Sequence, residues 1–229
     1  GLRANISHIH TDYEIGESFD SLDAYGMARI SQFGFSYPLI RSQVANINLQ
    51  GSYQYKLLND VTNSTSTNTN KFSNVIPISL AFDLRDNLYG SAITYGTLTF
   101  TRGEINLDAS LISTDSSTAR TEGYFTKVNL DIARMQYIAN NLNAFVKASY
   151  QRSNKNLDSS ESFGLGGSSG VRAYPVGEGY GDEGWLTQME LRYNIANFSP
   201  YIFYDLGHID TNAEPYDTSD NNRTIRGGG

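Results

Sequence analysis

The segment Asn46-Ile47-Asn48-Leu49-Gln50-Gly51-Ser52-Tyr53-Gln54-Tyr55-Lys56 decides the fold. Ile47, Leu49, Tyr53 and Tyr55 alternate with Asn46, Asn48, Gln50, Ser52, Gln54 and Lys56, so a strand built from them has one apolar face and one face of amides and charge. The same period returns from Ile76 to Leu84, where Ile76, Ile78, Leu80, Phe82 and Leu84 oppose Ser79, Ala81 and Asp83, and again where Met189, Leu191 and Tyr193 oppose Gln188, Glu190, Arg192 and Asn194. Faces this polar do not suit the interior of a close-packed sandwich, in which every buried amide or charge needs a partner. A wet lumen behind a lipid-facing wall accommodates them. The pattern predicts an all-β fold, a transmembrane antiparallel β-barrel.

Weaker alternation marks further strands near Leu2–Asp12, Ala28–Pro38, Ser91–Arg102, Tyr124–Tyr137, Leu142–Arg152 and Pro200–Ile209, about nine in all, of the length of about 9 to 11 residues or more that a tilted membrane strand requires. Phase slips at Gly96 and around Ala133 read as bulges, and no segment reads as a helix. Connection lengths add a second signal. Extended polar loops at Tyr13–Tyr25, Asn59–Ser73, Glu104–Arg120, Ser153–Gly184 and Thr211–Asn222 alternate with brief turns at Leu39–Gln43, Asp86–Tyr89, Ala139–Asn141 and Ala196–Phe198. Outer-membrane barrels carry long loops outside the cell and short turns on the periplasmic side. The lipid face is expected to include Ile78, Leu80, Phe82, Leu191, Tyr193, Ile202 and Tyr204, and the lumen Asn48, Gln50, Gln188, Glu190 and Arg192.

Composition narrows the alternatives. Sixteen Tyr and eleven Phe accompany one Trp and five Pro, a mixture suited to strands joined by polar loops. No run approaches the about 18 to 20 apolar residues of a membrane-spanning helix. The mean hydropathy of −0.41 hides barrel strands, in which only alternate residues face lipid. A net charge of −7 argues against a nucleic-acid partner, since phosphate recognition relies on clustered Lys and Arg. The lack of Cys removes disulfides, thiol nucleophiles and thiolate metal sites. The sequence opens at Gly1 without Met or an apolar leader and stops at Gly227-Gly228-Gly229 within what reads as an opening strand; it is read as an internal segment.

Little in the chain points to catalysis. His8 and His10 lie two apart on one strand face without a flanking carboxylate or Cys to complete a metal site, and His208 adjoins Asp205 without the serine elbow of a hydrolase. No catalytic residue, metal or cofactor is expected. The glycines of Phe163-Gly164-Leu165-Gly166-Gly167-Ser168-Ser169-Gly170 lack the Gly-Lys-Ser/Thr ending and the βαβ setting of a nucleotide cradle, so no nucleotide is expected either. Together with Gly177, Gly179, Gly181 and Gly184 they suggest a folded hairpin in place of a floppy coil.

At this loop the chain resembles the two-partner secretion transporters. Gly166-Gly167-Ser168-Ser169-Gly170-Val171-Arg172-Ala173-Tyr174-Pro175-Val176-Gly177-Glu178 matches the family's long-loop motif, with Ala173 where glycine is commoner. Phe203-Tyr204-Asp205-Leu206-Gly207 matches a second motif on the barrel wall, and strand alternation puts Phe203, Asp205 and Gly207 on one face. Further matches at Tyr37–Ser42, Phe125–Lys127, Gly184–Leu186 and Glu190–Tyr193 extend the resemblance over essentially the whole chain.

The resemblance implies a barrel of about sixteen strands, of which this chain supplies about strands five to thirteen, with residues 153–184 folding inward as the motif loop and periplasmic POTRA domains lying outside the chain. It implies residence in the Gram-negative outer membrane, contact with its lipid, and passive, ATP-free translocation of a large unfolded exoprotein of the haemolysin or adhesin type. Arg172 on the loop is expected to pair with Asp205 on the lumen wall. A barrel-assembly factor of the same superfamily, a diffusion porin and a soluble β-sandwich adhesin are the rival readings.

Overall fold

The computed structural model describes residues 1–15 and 23–229. Ten strands form one antiparallel sheet: β1 (Arg3–Ile15), β2 (Ala24–Arg41), β3 (Ala45–Thr62), β4 (Thr67–Asp86), β5 (Ala92–Leu107), β6 (Gly123–Ala139), β7 (Leu142–Ser153), β10 (Glu183–Tyr193), β11 (Tyr201–Asp210) and β12 (Asn222–Gly228). Each pairs with the next in sequence, except that β7 pairs with β10. The two intervening strands, β8 (Phe163–Gly164) and β9 (Tyr180–Gly181), pair only with each other inside the long connection. The main sheet holds one strand more than the nine expected, β12 being the strand that opens before the terminal glycines.

Registration turns the alternation of single strands into rows that run across the sheet. Tyr37, Leu49, Leu80, Leu98, Leu130, Tyr150 and Trp185 are successive cross-strand partners from β2 to β10. One residue along, Ser36, Gln50, Ser79, Thr99, Asn129 and Gln151 form the matching row on the other face. The polar row is cross-linked: the hydroxyls of Ser79 and Thr99 lie 2.9 Å apart, and Asn129 Nδ2 donates to Gln151 Oε1 at 2.7 Å. Ile78, Leu80, Leu191, Tyr193, Ile202 and Tyr204 are all exposed on the apolar face. Exposed large apolar side chains in continuous rows need an apolar solvent, and the pairing of backbone groups within the sheet is what lipid demands.

Several expectations from sequence are corrected. The segment Asn59–Ser73 is not an open loop: β3 and β4 continue to Thr62 and Thr67 and close in a four-residue turn, Asn63–Ser66, with Ser66 at φ 54°. Asn59 Nδ2 donates to Asn68 Oδ1 at 2.7 Å and to Asn70 Oδ1 at 2.8 Å. Strands of 18 and 20 residues exceed the about 9 to 11 that a tilted crossing uses, so this end runs past the lipid-facing rows and loses its apolar period while keeping its ladder; Lys71 and Ser73 are covered on the polar face. β5 likewise runs on to Leu107, and β1 to Ile15; residues 16–22 of the expected Tyr13–Tyr25 loop lie outside the described residues.

The connection after β5 contains a helix, α1 (Ala109–Ser117), where none was expected. Its Ser/Thr-rich sequence has weak helix propensity and no amphipathic period. What ends it is local: the Asp115 carboxylate accepts from the amides of Thr121 at 2.9 Å and Glu122 at 3.0 Å. Nor do bulges occur at Gly96 or Ala133. Both stay in register, with Phe82, Gly96 and Ile132 in one row and Tyr95 paired to Ala133 in the next; the apparent slip came from a glycine on the apolar face beside two apolar residues on the polar one. The register shifts instead at Pro38/Ile40 and Tyr137/Ala139, each beside a short turn.

An arginine on the apolar face should cost about 2 to 4 kcal/mol at mid-membrane depth and little on the polar face. Leu80→Arg is therefore expected to reduce the heat-resistant folded fraction of the barrel in native-state electrophoresis, while Gln50→Arg leaves it near normal. Equal tolerance of the two substitutions would reverse the assignment of faces.

Candidate functional site

Residues 154–182 connect β7 to β10 and fold back onto the polar face of the sheet. Pairing of Phe163 with Gly181 and of Gly164 with Tyr180 pinches off a lobe. Inside it the chain closes on itself: Val171 N donates to Leu165 O at 2.7 Å, Gly167 N to Tyr174 O at 2.9 Å, and Leu165 N to Gly179 O at 2.9 Å. Leu165 and Val171 are fully buried against Leu186, Ile209 and Ile225 of β10, β11 and β12, with Phe163 and Tyr174 packed at the margin. Those three wall residues are apolar side chains on the polar face, and the lobe takes them out of water, as Leu157 of the first limb does for Val75 and Phe125. Gly207 leaves the necessary room. A Cβ there would lie 2.7 Å from Leu165 Cδ2 and 3.4 Å from Val171 Cγ2.

The hydrophobic seat brings the two sequence motifs together. Asp205 is completely buried, and Arg172 supplies its carboxylate with three donors: its backbone N at 3.0 Å and Nε at 2.9 Å to Oδ2, and Nη2 at 2.8 Å to Oδ1. Bidentate guanidinium–carboxylate pairing with an added amide is the geometry that offsets carboxylate desolvation. Nη1 reaches Glu190 Oε2 at 2.9 Å, Arg192 holds the other oxygen of Glu190 at 2.6 Å, and the guanidinium lies 4.0 Å from the ring centroid of Phe203. Buried Gln188 fixes the lobe by donating to Gly170 O at 2.7 Å. Ala173 avoids positive φ, and its Cβ lies against Gly227, in the space left by that glycine's missing side chain. Val171, Arg172, Ala173, Tyr174, Phe203, Asp205 and Gly207 thus converge on one place.

The first limb of the same connection is fastened separately, by residues that sequence reasoning does not single out as a site. Asp158 caps a single 3-10 turn (Ser159–Glu161) that ends on Glu161, and both carboxylates are buried. Lys71 of β4 donates to Asp158 Oδ2 at 2.7 Å. Lys127 of β6 lies 2.9 Å from Glu161 Oε2, and Lys56 of β3 pairs with Oε1. Burial opposes the ionisation of Asp158, but the Lys71 ammonium and the Ser160 hydroxyl and amide outweigh it and hold the carboxyl below its usual range. Polar-face lysines at Lys56 and Lys127 are visible in the strand pattern; their partners, 105 and 34 residues away, are not.

The remaining candidates separate. His8 and His10 do share a face, where His8 Nδ1 meets Ser31 Oγ at 2.9 Å and His10 Nε2 meets Asp12 at 3.0 Å. Among the described residues no three His, Asp or Glu side chains cluster as metal ligands. His208 lies opposite to Asp205 in the alternation, stacked on Trp185 and bonded to Thr224 at 2.8 Å, so the two form no dyad. Asp182 is buried where the long connection meets the one after β11, accepting from Ala213 N at 3.0 Å. Burial, aided by repulsion from Glu183, pushes its carboxyl up to about 6 against the pull of the Ala213 and Leu157 amides. A raised carboxyl pKa contributes stability in full below the unfolded value of about 4 and loses it as pH rises through the folded one. Docking of residues 211–221 should loosen as pH rises from about 4 to just above about 6, read as faster proteolytic nicking there, and Asp182→Asn should flatten the profile. A pH-independent nicking rate in the native protein counts against this.

The sequence profile of the haemolysin secretion/activation protein ShlB/FhaC/HecB family matches residues 2–228. The heme/hemopexin transporter protein HuxB of Haemophilus influenzae is 25% identical over 211 residues, which make up 90% of this chain and 37% of that protein. CdiB from Escherichia coli superposes with a TM-score of 0.76 at 17% identity, over 99% of this chain and 43% of that one. CdiB from Acinetobacter baumannii gives a TM-score of 0.67 at 17% identity, over 91% and 37%. The chain therefore spans about two fifths of the length of these relatives, and the structural likeness, at such low identity, speaks for the barrel fold alone. Because the profile runs over nearly all of a sheet whose one face suits lipid and whose other suits water, the chain belongs to the ShlB/FhaC/HecB family of two-partner secretion transporters, β-barrel proteins of the Gram-negative outer membrane.

Proposed function

We propose that this chain forms part of the wall and the motif loop of a pore that passes a large unfolded exoprotein, of the haemolysin or adhesin type, to the cell surface without ATP. The observation that carries the reading is the docking of the lobe on the polar face through Arg172 and Asp205. In a closed barrel that face is the lumen, so the lobe stands inside the conduit. A loop held there by two sets of ion pairs, Arg172 with Asp205 and Glu190 at its tip and Asp158 and Glu161 with wall lysines on its first limb, and by a small apolar seat can be both a closure and a movable part. The amide and hydroxyl rows suit an extended polypeptide, whose backbone groups need neutral donors and acceptors and would be retained by strong charge. The reaction is transport; the site's charged groups are engaged with one another and carry no nucleophile–base pair.

Removing Arg172 leaves Asp205 buried without a counter-charge, and removing Asp205 takes from Arg172 its bidentate partner and leaves it Glu190 alone. In the full-length transporter, Arg172→Ala and Asp205→Ala are each expected to reduce secretion of the cognate exoprotein without preventing barrel insertion, and the double variant to be little worse than either single one. Additive defects, or normal secretion by both single variants, would show that the pair has no joint part in export.

The proposed orientation puts α1 and the Asn63–Ser66 turn outside the cell. Single cysteines at Ser64 and Ser113 are expected to react with an impermeant thiol reagent on intact cells, and cysteines at Asn87 and Asn140 only after the outer membrane is permeabilised. The opposite labelling would invert the topology.

A further inference from the structure

Lys56, Lys71 and Lys127 come from three wall strands, β3, β4 and β6, and their side chains are only 11 to 12% exposed. They converge on a segment that is not part of the wall. The contacts read a peptide and not merely a charge: besides the two carboxylates, Lys127 Nζ donates to the backbone carbonyl of Glu161 at 2.8 Å, and Gln151 Nε2 reaches the same oxygen at 3.1 Å. Ser73, the ladder partner of Lys56, is fully buried on this face with its hydroxyl unpartnered. We propose that these side chains form a binding site for an acidic stretch of extended polypeptide, which Asp158 and Glu161 occupy as an internal ligand while the loop is docked and which an acidic segment of the exported chain takes over when the loop withdraws.

The electrostatics of withdrawal support the second half. Strands stay in place when a loop leaves, so the three ammoniums would remain in a partly desolvated wall. Among the described residues, the carboxylate left to them there is Asp60, 3.6 Å from Lys71 and 41% exposed at its side chain. Buried charge that loses its partners is strongly unfavourable, and leaving is eased when a replacement anion arrives. The other fastening of the loop has the reverse polarity, with the loop supplying the cation and the wall the carboxylates. An acidic segment can therefore displace Asp158 and Glu161 but has nothing to exchange with at Asp205. The inference rests on the transport reading for the identity of the incoming ligand, and on geometry alone for the site.

The test uses the purified full-length transporter and a fluorescent peptide of residues 156–163, Asn-Leu-Asp-Ser-Ser-Glu-Ser-Phe, beside its Asn/Gln counterpart at constant ionic strength. Because a tethered ligand competes at millimolar effective concentration, the D158N/E161Q transporter should bind the acidic peptide about ten-fold or more tighter than the native one does. The amide peptide should bind neither. Adding K56Q and K127Q should abolish binding, and adding K127R should keep it, with folding checked by heat-modifiable mobility. Equal binding of both peptides, or undiminished binding by folded K56Q/K127Q protein, overturns the site. Normal secretion by a K56Q/K127Q transporter whose peptide binding is lost overturns the role in export. Neither binding result depends on the exoprotein, so failure of the transport reading would show separately, as secretion unaffected by the Arg172 and Asp205 variants.

Discussion

A carboxylate with no exposure to water must be neutralised from within, and Asp205 is neutralised by one residue of a distant loop. Much of the local architecture follows from that demand. Arg172 reaches Asp205 with two guanidinium nitrogens and its own amide, so the backbone at the lobe tip is fixed along with the side chain. Position is set directionally by these bonds, while the apolar contacts of Leu165 and Val171 with Leu186, Ile209 and Ile225 supply non-directional burial. Neither alone suffices. The apolar cluster would tolerate sliding, and an ion pair without it would be open to water and weak.

The wall is chemically divided along its polar face. From β2 to β5 the mid-sheet row consists of uncharged amides and hydroxyls, whereas β10 and β11 carry Glu190, Arg192 and Asp205 along with Leu186 and Ile209. The loop leaves β7 and returns at β10, covering apolar side chains at both ends of its path, Val75 and Phe125 under its first limb and Leu186, Ile209 and Ile225 under the lobe. Its first limb reaches back to β3 and β4, which β5, β6 and β7 separate from β10 in the sheet order. Two fastenings on separated strands make the connection a strap across the sheet.

Legibility in the sequence followed the solvent. Where one face meets lipid and the other water, as in β3 from Asn46 to Lys56, side-chain period and register are tightly coupled and the faces could be read directly. Beyond the lipid-facing rows, as from Asn59 to Asn70, the ladder persists without a period and the sequence looks like a loop. Gly96 and Ala133 misled because a missing or small side chain mimics a change of phase. The Arg172–Asp205 pairing was anticipated through two matching motifs, whereas Glu161 with Lys56 and Lys127 joins residues that no local pattern relates. α1 escaped notice since its end is tied by Asp115, a contact outside any helical repeat.

The tip of the β3–β4 hairpin is held by amide and hydroxyl contacts between near-identical side chains, Asn59 with Asn68 and Asn70 among them, and its turn residues Asn63–Thr65 are not buried. Inserting or deleting a pair of such residues shifts the tip by one ladder rung and changes nothing below it. In the orientation proposed above, this projection can therefore change in length and sequence at almost no folding cost, so the chain has freedom there that it lacks at the docked loop.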